Sequence, residues 1–180
     1  DMPTDVSAHD VVFVGTGWQE RIELLRAVEW TGINLGLYGQ WELMGSRSPL
    51  RPYLHGGLTP NLMTAALYRK AAIGLNLHRQ SIKYTKDAPR CTGAESVNPR
   101  VMELAACGTF FISDYRAEMG DIFGTAVPTF KTPGELGEMI RYYLAHPEER
   151  FRHSFQMVNA VQGQTFAVRA KRLANVLSLS

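Results

Sequence analysis

Apolar residues fall along this chain in short runs, each closed by glycine or followed by a helical repeat. Val11-Val12-Phe13-Val14 is the first run. Gly15-Thr16-Gly17 ends it, so it reads as a buried strand opening onto a loop. Ile22, Leu25 and Val28 then recur at helical spacing through Trp30, with Gly32 where a C-terminal cap belongs. Ile33 to Tyr38 reads as the second strand. From Met44 to Pro60 the chain is rich in Gly, Pro, Ser and Arg without periodicity, and it is expected to be loop with room for a short strand. A helix over Asn61 to Ala72 leads to a third strand, Ile73 to Leu77. The polar stretch from His78 to Val97 shows no period; loops this long inside a domain are usually functional.

Asn98-Pro99 predicts the next helix, with Asn as N-cap and Pro in the first helical position, ending at Gly108. Thr109 to Ser113 and Ala126 to Phe130 read as strands, with a short helix near Glu118 to Phe123 between them. Thr132-Pro133-Gly134-Glu135 is a capping box, followed by a stripe of Leu136, Met139, Ile140, Tyr143 and Leu144. Met139, Tyr142 and Tyr143 are expected to pack that helix. His146-Pro147 stops it, and two more helices follow, the last with Ala170, Leu173, Ala174 and Leu177 on one face. Short apolar strands alternating with helices predict a single α/β domain: a Rossmann-like parallel sheet with helices on both faces.

The 180 residues suffice for one domain that buries roughly 70% of its unfolded surface. A composition of 45% hydrophobic and 20% charged residues excludes a disordered chain, and the net charge of +2 gives no argument for nucleic acid. No apolar stretch reaches the ~20 residues of a membrane helix, and the first residues given show no basic-then-apolar pattern, so no signal sequence is expected among them. Cys91 and Cys107 are the two cysteines, and they read as reduced thiols of a cytoplasmic protein. The chain enters its first strand within ten residues of Asp1, which suggests a piece of a longer protein.

Ligands of such sheets bind at the carboxyl ends of the strands near the switch point, so the residues there are the candidates. They are Gly15, Thr16 and Gly17 with Trp18, Gly39 to Trp41, His78 and Arg79, and Asp114 to Arg116. Gly15-Thr16-Gly17 is half of a dinucleotide fingerprint whose third glycine is replaced by Glu20. The helix opening at Asn98 offers free N–H groups and a positive dipole end suited to phosphate, with Lys83, Lys86 and Arg90 in the loop before it. Arg100 and Glu103 share a face there, and the bland expectation is a surface ion pair. Trp18 and Trp41 are placed either to pack on a base or to anchor the core. His9, His55, His146 and His153 lack metal spacing and are expected to be structural, and no metal site is expected.

The segment NPRVMELAACGTFFISDY resembles the signature of CgeB-like glycosyltransferases. VVFVGTGWQERIELLRAV, AIGLNLHR, TPGELGEMIRYYLAHPEERFRHSFQMV and TFAVRAKRL resemble successive blocks of the same domain, over nearly the whole chain. Glu95 and Glu103 also stand at a spacing similar to the E-x7-E of many retaining GT-B enzymes. The resemblance implies the C-terminal, nucleotide-sugar-binding half of a GT-B fold, with UDP-sugar as donor and no cofactor or metal. It further implies that Glu103 holds the ribose diol, that Glu95 faces the donor sugar, and that Arg21 and Arg79 neutralise the leaving diphosphate. His78, Arg100 and backbone N–H groups at Asn98 to Arg100 would complete the cradle. The Arg of the usual Arg-then-Lys pair is absent, with Gly15-Thr16-Gly17-Trp18 in its place. The acceptor would be held by an N-terminal domain of the same protein, without which the isolated domain is expected to be inactive. A non-catalytic nucleotide-sugar-binding module is one alternative. A dinucleotide-binding oxidoreductase is another, disfavoured by Glu20 and by Gly39-Gln40 where an acidic residue would follow the second strand.

Overall fold

The computed structural model describes residues 6–91 and 93–177. Six strands form one parallel sheet: β1 (Val11–Val14), β2 (Leu35–Tyr38), β3 (Leu54–Gly56), β4 (Ile73–Asn76), β5 (Phe111–Asp114) and β6 (Thr129–Phe130), in the order β3-β2-β1-β4-β5-β6. The connecting helices are α1 (Gln19–Arg26), α2 (Asn61–Lys70), α3 (Arg100–Ala106), α4 (Ala117–Phe123) and α5 (Pro133–Ala145), followed by α6 (Pro147–Val161) and α7 (Phe166–Val176). The chain winds one way from β1 through β3 and the other way from β4 through β6. With right-handed crossovers this puts α1 on one face and α2 to α4 on the other, and makes β1 and β4 the switch point. Val11, Val12, Phe13, Ile73, Leu75, Phe111 and Ile112 are buried, as central parallel strands require.

Local chemistry explains most boundaries. The Thr132 capping box is formed in full, with the Thr132 hydroxyl accepting from Glu135 N–H and the Glu135 carboxylate accepting from Thr132 N–H. Leu136 and Ile140 are wholly buried beneath that helix, and Tyr143 packs on Phe110 with ring centroids 4.5 Å apart. Tyr142 departs from expectation: it is exposed, stacks on His146 and donates to Glu149 at 2.9 Å. The expected helix through Trp30 ends at Arg26; Val28 and Trp30 are buried in the turn after it, where the Trp30 indole N–H donates to Leu25 O at 2.7 Å. The unreadable 44–60 segment does hold a strand, β3, on the sheet edge.

One further expectation is corrected. Asn98 does not cap α3 with its side chain: its Oδ1 is buried without a partner, and the helix opens on the Asn98 and Pro99 carbonyls, which accept from Val101, Met102 and Glu103 N–H. The last helix, α7, forms as expected, and Leu173 and Leu177 are both exposed. Cys91 is exposed and Cys107 half-buried, and both are free thiols. Among the described residues no helix is long and apolar enough to cross a membrane.

Candidate functional site

The switch point is lined by two arginines arriving from opposite faces of the sheet. Arg21, on α1, donates to Thr16 O at 2.9 Å and to Leu77 O at 2.6 Å. Arg100, on α3, donates from Nε to Val14 O at 3.0 Å and reaches the same Leu77 carbonyl at 3.5 Å. Both guanidinium carbons lie over the Phe13 ring, at 5.4 and 5.1 Å from its centroid. Among the described residues neither arginine forms an ion pair with a carboxylate. Burial, with Arg100 beside it, pushes the Arg21 guanidinium down to about 9. Tyr68, buried on α2, is pushed up to about 12, chiefly by burial.

Position 15 is glycine for a packing reason: a Cβ there would sit 2.6 Å from the Arg100 guanidinium. At Gly17 a Cβ would run into the Trp41 ring, and at Gly39 (φ 114°) into the carbonyl of Gly15. The glycine pair thus makes room for protein side chains, and Trp41 is buried edge-on against Phe13. Trp18 is held differently, between Arg79 at 5.1 Å and Tyr84 at 5.1 Å. Arg79 is exposed and turned onto that ring.

His78 closes the crevice between β4 and β5. Its Nδ1 lies 2.7 Å from Asp114 Oδ1, which also accepts the His78 N–H, while its Nε2 takes the N–H of Asn98 at 3.3 Å. That network assigns the Nδ1–H tautomer. It also consumes the Asn98 N–H, and Pro99 has none, so of the three backbone donors expected at 98–100 only that of Arg100 is uncommitted. The segment before α3 is tied to α4: Glu118 Oε2 accepts from Val97 N–H at 2.7 Å, Glu118 N–H donates to Glu95 O at 3.2 Å, and Arg116 donates to Ala94 O at 2.8 Å. The Glu95 side chain is exposed and has no partner among the described residues.

Glu103 is exposed too, and the surface pair expected with Arg100 does not form, because Arg100 turns inward beneath Gly15. Glu103 instead lines a cavity of about 230 Å³ with Asn98, Pro99 and Glu118. A second cavity, about 320 Å³, lies between α1 and the ends of β4 to β6, with Arg21, His78 and Asp114 on its wall and Lys131 and Arg90 at its rim. Glu20, in the place of the third fingerprint glycine, is buried there and anchors the loop after β4. Its carboxylate accepts from Gln80 N–H at 2.7 Å, Ser81 N–H at 3.1 Å and the Ser81 hydroxyl. Burial pushes that carboxyl up, but these hydrogen bonds outweigh it and hold the group below the ordinary range. Glu20, Asp114, Glu118 and Phe13 were not assigned roles from sequence; their partners lie in other elements, and no local spacing announces them. Among the described residues no cluster of three His, Cys, Asp or Glu side chains is placed to hold a metal ion.

A parallel sheet reversing at β1 and β4, with Arg21 and Arg100 meeting at its carboxyl edge, defines a Rossmann-like α/β domain. The chain belongs to the glycosyl transferase-like family, which matches residues 8–175. No curated protein sequence matches it. Its fold is similar to that of a sucrose-phosphate synthase from Thermosynechococcus elongatus (16% identity, TM-score 0.62), covering 99% of this chain and 47% of that one. It is also similar to the Anabaena protein HepE solved in complex with UDP-glucose (15%, TM-score 0.63; 96% and 49% covered). A third similar structure is WaaG, a glycosyltransferase involved in lipopolysaccharide biosynthesis (15%, TM-score 0.60; 93% and 46% covered). The chain thus spans about half the length of each, and the shared fold is that of the GT-B glycosyltransferases.

Proposed function

We propose that this chain is the nucleotide-sugar-binding domain of a GT-B glycosyltransferase and takes a UDP-sugar as donor, without a metal or other cofactor. The observation that carries the reading is the convergence of Arg21 and Arg100 on Leu77 O with no carboxylate paired to either. A buried arginine beside a second, half-buried one at a strand switch point suits a diphosphate, and their field would act where charge grows as the sugar leaves. Glu103, exposed beside the 230 Å³ cavity, would take the ribose diol through its two oxygens. Glu95 would face the donor sugar. Arg79 would reach the phosphates on leaving the face of Trp18, and His78, fixed by Asp114, would shape the floor between them. The Gly15-Thr16-Gly17 turn would contribute its backbone edge. HepE was solved with UDP-glucose, which supports UDP as the nucleotide. An N-terminal domain would hold the acceptor, so the isolated chain would bind donor without transferring sugar. UDP should raise the melting temperature of the chain through binding to the folded state, and NAD should not. Stabilisation by NAD alone would favour the oxidoreductase alternative.

A further inference from the structure

Three cations from three separate stretches of chain converge on a cleft of about 290 Å³ outside the donor crevice. Arg26 comes from the end of α1, Arg47 from the loop after β2 and Lys86 from the loop after β4, with the Gln19 amide and the Ser48 hydroxyl between them. Gln19, Ile22 and Arg26 share one face of α1 at i, i+3, i+7 spacing, whereas Glu20 and Leu24, which line the 320 Å³ cavity, project from the opposite side. All three cations are exposed, none forms an ion pair among the described residues, and no carboxylate lines the cleft.

Two neighbouring acids already have partners. Glu23, next along α1, is held by Arg90 at 2.5 Å and by the Gln19 amide at 3.0 Å. Glu42 accepts from the Tyr84 hydroxyl at 2.8 Å. Three like charges facing one concavity repel one another and raise the local concentration of anions. Two guanidinium forks, an ammonium and a hydroxyl are a donor set that matches a tetrahedral oxyanion.

We propose that this cleft is a second binding site, for a small tetrahedral oxyanion: a phosphate or sulfate group, free or carried as an ester. It stands on its own lining and does not rest on the donor reading. Titrating the isotope-labelled chain with inorganic phosphate, inorganic sulfate and glycerol 3-phosphate, and reading amide shifts by NMR, tests it. Saturable shifts should appear at Arg26, Arg47 and Lys86. A stronger response to glycerol 3-phosphate would assign an ester, and a stronger response to the inorganic ions the free anion. The Arg47→Gln/Lys86→Gln double variant should weaken this binding by at least about tenfold, since it removes two charge-assisted partners, while leaving any UDP response at Gly15 to Arg21 unchanged. A thermal melt of the variant verifies its fold. Absence of shifts at these residues, or shifts identical in the double variant, would overturn the proposal.

Discussion

Arg21 and Arg100 donate to one carbonyl, that of Leu77, at 2.6 and 3.5 Å, from helices on opposite faces of the sheet. The Arg21 guanidinium, buried beside Arg100 and paired with no carboxylate among the described residues, costs the ligand-free fold stability, and a bound anion relieves that cost. Arg21→Met should therefore leave the melting temperature unchanged or raise it, while abolishing the rise that UDP produces. Thermal melts with and without UDP check both halves. A variant that melts far lower without ligand would mean that Arg21 is a structural strut.

Glu103 separates the ordinary reading of its helix from the functional one. It forms no pair with Arg100, and Val101, Leu104 and Ala105 carry the packing of α3, so Glu103→Gln should not change the melting temperature. As the ribose ligand it would lose charge-assisted hydrogen bonds worth roughly 1.5–3 kcal/mol each, so UDP affinity should fall at least about tenfold, one decade being 1.4 kcal/mol. Calorimetric titration of the folded variant measures it; unchanged affinity would reduce Glu103 to a surface residue.

The glycines of the β1 turn are fixed by what lies against them. Gly17→Ala forces a Cβ into the Trp41 ring and should cost about 1–3 kcal/mol, the usual range for overpacking. Gly39→Ala meets the backbone of Gly15 at φ 114° and should cost more, because a carbonyl yields less than a ring. Urea denaturation gives both values. A Gly17→Ala variant as stable as the parent would show that Trp41 has room to move.

The strands other than β3, and α5, were legible because their signals are local: apolar runs, a capping box, glycine closures. Arg100 was singled out from the helix opening at Asn98, and Arg21 only from the family resemblance. What they touch was not legible, because Phe13 and the Leu77 carbonyl are brought to them by tertiary packing. Asn98 offered the side chain of a good cap, yet α3 opens without it, because the Asn98 N–H is drawn to His78 across the crevice. In α7 the apolar period was read correctly as helix, but a period alone does not say whether the face is covered.

His9 gives the fold an acid-side sensitivity. Its Nδ1 faces Asn34 Oδ1 at 3.2 Å and its Nε2 the Tyr38 hydroxyl at 2.8 Å, with His55 4.8 Å away ring to ring. Burial lowers it below the ordinary 6.5, the Asn34 hydrogen bond and Asp10 oppose that shift, and His55 adds to it. As pH falls through 6.5 the unfolded chain takes up a proton that the folded chain does not, so stability drops until the folded value is passed. Unfolding free energy measured by urea across that range should decline, and His9→Gln should flatten the decline. An equal slope in the variant would assign the loss to other groups.

On the proposed reading, Arg21 and Arg100 together hold the diphosphate of a uridine nucleotide. Calorimetric titration of UDP into the chain and into Arg21→Gln, with NAD as control, tests it most directly. Binding of UDP, weakened at least about tenfold in the variant through loss of a charge-assisted partner, with no heat from NAD, is the predicted result. A folded chain that binds no UDP, or binds it equally well without the Arg21 guanidinium, would contradict it.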